Sequence, residues 1–302
     1  MSVRQVAVTG ASGFIGRSLV PALRLAGHSV RTIGRGAGSD FRWDPASAAI
    51  DAAALHGVDA VVHLAGANIA VRWTARARRE IVDSRTLGTK LIATAFAHAG
   101  HGGGVDRVLV SASAIGCYGN RDDALLDETS APGDGFLADV VRQWEEAAAP
   151  AGAAGIRIVH SRTGLVLSPD GGALRRLLTP FRLGAGGRLG PGTQWMSWIA
   201  LSDAVRAIAF AIDREGLHGA VNVVTPEPVT NATFTATLAR VLARPALLPV
   251  PAVLLHAIFG AMADETLLAS QRVHPSRLTA EGFRFAHPAL DDALRFELGR
   301  AG

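Results

Sequence analysis

Three glycines spaced Gly-x-x-Gly-x-x-Gly, at positions 10, 13 and 16, follow directly on the β-branched run Val6-Ala7-Val8-Thr9. That spacing suits the binding of a pyrophosphate. The first glycine lets the chain turn sharply off a strand, the second lets backbone approach the anion, and the third lets the next helix pack closely on the sheet. Exposed N–H groups and the positive end of the helix dipole then hold the phosphates without a lysine. The residues assigned to this cradle are Thr9, Gly10, Ser12, Gly13, Phe14, Ile15 and Gly16, joined by Leu64, Ala65 and Gly66 from the end of a later strand. Sites for NAD carry an acidic residue roughly 20 residues further on, where it accepts hydrogen bonds from ribose hydroxyls. This chain has Gly34-Arg35 there. An arginine makes charge-assisted, bidentate bonds to a 2′-phosphate, so the expected cofactor is NADP(H), with Arg17 as a second candidate for that contact.

The elements that must position these residues alternate along the first two-thirds of the chain. The pattern predicts strands over 3–8, 29–33, 41–43, 59–66, 107–112 and 156–161, and helices over 14–26, 74–99 and 135–149. The segment Asp59-Ala60-Val61-Val62-His63-Leu64-Ala65-Gly66 is nearly all apolar, as befits a parallel strand covered on both faces. The order argues an α/β fold, a doubly wound parallel sheet of Rossmann type whose ligand lies along the carboxyl ends of the strands. Residues 1–164 are assigned to this domain, and 165–302 to a smaller α/β lobe interleaved with the sheet. In the lobe a glycine-rich stretch (Gly184, Gly186, Gly187, Gly190, Gly192), of the kind that forms a lid, separates helix 173–182 from a Trp195/Trp198 strand. Helix 202–213, strand 220–224, helix 230–243 and proline-punctuated helices complete it.

Composition removes several function classes. A chain of 302 residues with 49% hydrophobic content buries a sizeable core. One cysteine, Cys117, excludes disulfide staples and a cysteine-built metal site, and no cluster has metal-ligand spacing. A core strand begins within a few residues of the N-terminus, leaving no room for a signal peptide; with the lone cysteine this gives a cytoplasmic expectation. The apolar run from Val250 to Ala263 contains Pro251 and His256 and is shorter than the roughly 20 residues a membrane span takes. The sequence pI of 10.4 raises the question of nucleic acid. The formal net charge is nevertheless only +4, the arginines are scattered, and no basic stripe interleaves with aromatics, so neither nucleic acid nor membrane is expected as a partner.

Thr9-Gly10-x-x-Gly13-Phe14-Ile15-Gly16, Asp59-x-Val61-Val62-His63-Leu64-Ala65-Gly66 and the helix segment ending Gly88-Thr89 together resemble the extended short-chain dehydrogenase/reductases, over essentially the whole chain. A narrower similarity, carried by Gly66-Ala67-Asn68-Ile69, Arg72-Trp73, Ser84-Arg85, Ser111-Ala112-Ser113-Ala114, Gln194 to Ile199 and Thr225 to Asn231, is to the atypical epimerase-family subgroup. Its bacterial members are often labelled nucleoside-diphosphate-sugar epimerases or cell-division-inhibitor-like proteins. The subgroup's C-terminal segment resembles Pro249 through Phe285 here. Extended members often dimerise through two long helices beside the sheet, here about 74–99 and 135–149, so the resemblance implies a homodimer, with Trp144 serving either that surface or the core.

Enzymes of the family typically use a Tyr-x-x-x-Lys pair, whose lysine lowers the tyrosine pKa while the tyrosine transfers a proton. This chain cannot contain it. Its single tyrosine, Tyr118, and single lysine, Lys90, are far apart and in the wrong order. By the resemblance Phe136 and Val140 stand at the two positions, Arg85 matches the family asparagine, and Ser113 matches the serine after a one-residue shift. Any acid or base must come from the sheet's carboxyl edge, where Ser113, Tyr118, Arg85 and Asn68 are the candidates. Tyr118 has two readings: a proton donor whose pKa is depressed by Arg85, or an aromatic packing over the cofactor. Ser113 is either a catalytic hydroxyl or one satisfying backbone at a strand end. His63 reads as a core histidine bonded to backbone, Trp144 as core, and Asp203 as a helix cap. Trp73, Trp195 and Trp198 are candidates to cap a ring-shaped ligand, and Arg72, Arg85 and Arg162 suggest an anionic one. Three functions remain open: an NADP(H)-dependent oxidoreductase or epimerase-like enzyme acting on a small polar substrate, a non-catalytic NADP(H)-sensing interaction module, and a ligand-free scaffold.

Overall fold

The computed structural model describes residues 3–100 and 106–300. Its main sheet contains β1 (Gln5–Thr9), β2 (Ser29–Gly34), β3 (Phe41–Asp44), β4 (Ala49–Ile50), β5 (Ala60–His63), β6 (Val108–Ala114), β8 (Arg157–Thr163) and β12 (Gly219–Val223), in the order β12-β8-β6-β5-β1-β2-β3-β4. All neighbours are parallel except β3 and β4, which form a hairpin at the edge. Outside it, β7 (Leu125–Leu126) pairs with β14 (Arg272–Val273), β9 (Leu165–Leu167) with β11 (Trp198–Ala200), and β10 (Trp195–Met196) with β13 (Val229–Thr230).

Ten α-helices lie among the described residues: α1 (Gly16–Leu25), α2 (Ala75–His98), α3 (Phe136–Glu146), α4 (Ala149–Ala153), α5 (Gly172–Arg182), α6 (Leu201–Asp213), α7 (Asn231–Leu242), α8 (Ala252–Phe259), α9 (Ser276–Ala280) and α10 (Leu290–Glu297). None is long and apolar enough to cross a membrane. The period of two along each strand feeds both faces of the sheet. Val6, Val8, Val62 and Val110 pack with Leu19 and Leu23 of α1 and Ile208 of α6. Ala7, Val61 and Leu109 pack on the opposite side with Ile92 and Phe96 of α2. The apolar composition of β5 is thus explained, all four residues being buried. A third core, around Leu174, Phe181, Trp198, Phe234 and Leu294, belongs to the lobe.

A cut after residue 164 does not separate two bodies, because β12 supplies an edge strand, Val221 pairing with Ser161, and α6 covers one face of the sheet. The expected helix 135–149 breaks in two, α3 and α4, with Pro150 at the start of the second, where its missing N–H is tolerated. The expected Trp195/Trp198 strand also divides, β10 and β11 joining different ladders. The glycine-rich stretch is not a free lid. Gly186 and Gly187 are buried, a Cβ on Gly187 would overlap the Leu248 carbonyl, and Gly190 N donates to Val250 O at 2.8 Å. Gly187 and Gly190 serve close backbone approach to the segment before α8, and Gly186 makes room for the Phe181 ring.

Candidate functional site

The cradle forms where β1 turns into α1. Gly10 has φ +68°, a conformation side chains rarely adopt, and a Cβ there would sit 2.9 Å from Ala65 N and from the Leu64 carbonyl carbon. The glycine turn therefore presses directly on the Leu64–Gly66 loop that follows β5. A Cβ on Gly16 would overlap the Gly10 carbonyl oxygen, and Gly13 N donates to that oxygen at 2.9 Å. Ser12 and Gly13 are exposed, Ile15 at the N-cap gives no side-chain cap, and no acidic residue occupies the first turn of α1. The helix terminus is thus open to an anion. Phe14 leans toward the lobe, where Gly171 and Gly172 leave room for its ring.

Thr9 lies beneath this surface. Its fully buried Oγ1 is 2.7 Å from Nδ1 of the fully buried His63, so its side chain faces the core rather than the crevice. His63 is a core histidine as expected, although its partner is this hydroxyl and not backbone; Trp43 meets it edge-on at 5.7 Å. Burial draws its pKa down to about 4, leaving it neutral.

Beside the cradle opens a cleft of about 760 Å³ lined by Arg35 and Asp44, by Ala65, Gly66 and Asn68, and by Arg76, Arg79, Glu80, Asp83 and Ser84 of α2. Asp44 is held below the usual carboxylate range by the Ser47 hydroxyl first, then by the Ala46 N–H, with Arg35 adding a smaller attraction. Arg76 and Arg79 escaped the sequence reading, since nothing in their spacing distinguishes them from other surface arginines of a helix. Arg17 does not join Arg35. It lines a separate cleft of about 420 Å³ with Phe14, Asp170 and Arg175.

The catalytic candidates fall into two groups. Ser113 Oγ donates to Glu145 Oε1 at 2.6 Å, and Arg162 grips Glu145 through two bonds of 2.8 Å. Arg162 also donates to the Tyr118 hydroxyl at 3.2 Å, and that hydroxyl donates to Asn222 Oδ1 at 2.8 Å. Burial would raise the Glu145 pKa, but the bonds and charge of Arg162 outweigh it and hold the carboxyl below its usual range. Tyr118 has no exposed surface, and burial pushes its pKa up to about 12. The expectation that Arg85 depresses it is therefore corrected: the arginine beside Tyr118 is Arg162, and desolvation dominates. Arg162 is likewise withdrawn as an anion receptor, being neutralised by Glu145.

Arg85 stands apart from this network, stacked on Trp144 and bonded to the Ile81 carbonyl. Phe136 stacks edge-on with Trp73 at 4.9 Å under Arg78, and Val140 is buried with Leu137, Ile81 and Met262. The side chain of Asn68 accepts from Ala70 N in its own loop, and Arg72 donates to Ala257 O. Trp144 is core, its Nε1 donating to Thr89, and so is Trp198; Trp195 bonds Asp123. Trp73 is buried as well, Trp195 is half-buried with Arg272 over its ring, and none of the three lines the cleft. Asp203 does not cap α6. Fully buried, it accepts from Ala286 N and His287 N, both at 2.9 Å, and tethers the C-terminal segment. No cluster of metal-ligating side chains occurs among the described residues.

Comparison with known proteins agrees with this architecture. A family model described as the NAD dependent epimerase/dehydratase family matches residues 6–224, and one for a domain of unknown function, DUF1731, matches 250–297. An epimerase family protein of Mycobacterium tuberculosis is 46% identical over 301 residues, covering 98% of each chain. The human epimerase family protein SDR39U1 is 36% identical over 296 residues, 96% of this chain and 98% of that one. The crystal structure of human SDR39U1 (isoform 2) with NADPH superposes with a TM-score of 0.89 at 35% identity, covering 98% of this chain and 100% of the other. That of a nucleoside-diphosphate sugar epimerase from Corynebacterium glutamicum gives 0.81 at 37% identity, covering 99% of this chain and 59% of that one.

Proposed function

We propose that this chain, which belongs to the NAD dependent epimerase/dehydratase family, binds NADP(H) along the carboxyl ends of β1, β2 and β5 and exchanges hydride with a small polar molecule. The observation that carries the reading is the glycine turn, in which a Cβ at Gly10 or Gly16 would collide with backbone, set beside an arginine instead of a carboxylate at the end of β2. The human relative crystallised with NADPH supports the same choice of cofactor.

The residues fit such a dinucleotide. The N–H groups at the start of α1 would hold the pyrophosphate, Leu64–Gly66 would flank it, and Arg35, with Arg76 and Arg79 of the same cleft, would receive the 2′-phosphate. When bound, the nicotinamide supplies hydride chemistry, and the protein supplies position and electrostatics. The Ser113 and Tyr118 hydroxyls donate to Glu145 and Asn222, and Tyr118, with its pKa pushed up to about 12 by burial, keeps its proton at neutral pH.

A second reading, a non-catalytic module that senses NADP(H), draws on one observation: Phe136 and Val140, at the positions the resemblance gives to the family's tyrosine and lysine, are apolar and pack in a hydrophobic cluster. A fluorescence titration of cofactor-free protein with NADPH and NADH, repeated on Arg35→Asp, tests the common ground. NADPH binding that weakens selectively in the variant upholds it; binding of neither nucleotide refutes both readings. Turnover of NADPH absorbance with any metabolite then decides for the enzyme over the sensor.

A further inference from the structure

Where α2 and α3 meet the carboxyl edge of the sheet, the guanidinium of Arg85 is held between two surfaces. Its carbon lies 4.9 Å from the ring centroid of Trp144 on α3. On another side is Gly66, where a Cβ would lie in van der Waals contact with the guanidinium, 3.5 Å from Cζ. Nη1 donates to the Ile81 carbonyl at 3.2 Å, within its own helix. Nε and Nη2 have no hydrogen-bond partner among the described residues, and they are not sealed off from solvent.

No carboxylate pairs with this cation among the described residues, in contrast to Arg162, which Glu145 neutralises a helix away. Burial pulls the Arg85 pKa down to about 10, with no charged neighbour opposing the shift. A desolvated guanidinium without a counter-ion is costly, and the indole face offsets only part of that cost. The planar fork, clamped on one face and open along one edge, is the geometry that receives an oxyanion through two parallel bonds.

We infer that Arg85 is the receptor for an oxyanion, a carboxylate or phosphate group, carried by the ligand of this crevice. The inference rests on the crevice being a ligand site, as proposed above, and narrows the small molecule to an anion. The same group chemistry has two sources, a second molecule or the dinucleotide's own pyrophosphate, and the experiment separates them.

Thermal unfolding of wild type, Arg85→Met and Arg85→Lys is followed against increasing sodium phosphate or sodium acetate, at ionic strength held constant with sodium chloride, with and without saturating NADPH. Wild type should be stabilised by at least one of the two probes. Arg85→Met should need at least tenfold more anion for the same shift. Its anion-free midpoint should equal or exceed that of wild type, because no ion pair is broken. Arg85→Lys, which keeps the charge without the fork, should fall between. An anion response that persists under saturating NADPH assigns the oxyanion to a second molecule; one that NADPH abolishes assigns it to the dinucleotide. A wild type indifferent to both probes, or an Arg85→Met whose anion dependence matches wild type, overturns the inference. A wild type unmoved by NADPH but showing the Arg85-dependent anion response refutes the cofactor reading and leaves this one standing.

Discussion

Acidification should weaken the fold through one histidine under the cradle. His63 is completely buried, hydrogen-bonded to Thr9, and its pKa falls from 6.5 to about 4 on folding because charge is penalised in that core. Between those values the unfolded chain binds a proton that the folded chain refuses. Stability from this group is therefore full above pH 6.5, falls as the pH drops, and is exhausted below about pH 4. Going from pH 8 to pH 5 should remove about 2 kcal/mol through His63 alone. His160 and every other titrating group act in parallel, so the measurement is a difference. Urea unfolding free energies at the two pH values are compared between wild type and His63→Gln, whose side chain is polar but does not titrate. His63→Leu serves as a second reference should glutamine pack poorly. Wild type should lose about 2 kcal/mol more than either variant. A pH-induced loss equal in all three proteins would refute the assignment of the titration to His63.

Three further outcomes follow from the same geometry. Gly16→Ala places a methyl group against the Gly10 carbonyl oxygen and should weaken NADPH binding at least tenfold, about 1.4 kcal/mol, in a fluorescence titration. Glu145→Gln leaves Arg162 without its counter-ion in a site where the two side chains are 16% and 11% exposed, and denaturant unfolding should show a loss of about 3 kcal/mol or more; the double variant Glu145→Gln/Arg162→Met should recover part of it. Tyr118→Phe strands the Asn222 carbonyl and should cost about 1–2 kcal/mol of stability, while NADPH affinity stays within twofold of wild type.

How much of this was legible in the sequence depended on the range of the interaction. The turn at Gly10 to Gly16 and the alternation of strands and helices are local patterns, and the structure returns them with boundaries shifted by a few residues. The role of Tyr118 was not local. Its partner Asn222 lies 104 residues away and Arg162 lies 44 away, so only the pairing of β6, β8 and β12 brings the three together. Asp203 misled for the same reason: it does sit in the first turn of a helix, where it pairs with Arg206, yet it accepts from backbone N–H groups more than 80 residues on. Arg76 and Arg79 became visible only when α2 and Arg35 were seen to line one cleft.

The two halves of the crevice have diverged in kind. On the nucleotide side the backbone is so crowded that glycine is required, while at Phe136 and Val140, the positions the resemblance gives to the family's proton-transfer pair, the side chains pack. Leu137, Val140, Ile81 and Met262 form one buried cluster with Trp73, and Glu265, from the C-terminal segment, accepts from Leu137 N at 2.8 Å and so caps α3. Gln271 of the same segment donates to the carbonyls of Ile115 and Gly119, across the loop that carries Tyr118. The DUF1731 region is thus built against α3 and the loop that carries Tyr118. A lysine at 140 would place an ammonium among Ile81, Leu137 and Met262, a costly burial. Arg85 stands at that end of the crevice with no carboxylate paired to it among the described residues. On the proposal that Arg85 receives an oxyanion, what this end of the crevice contributes is electrostatic.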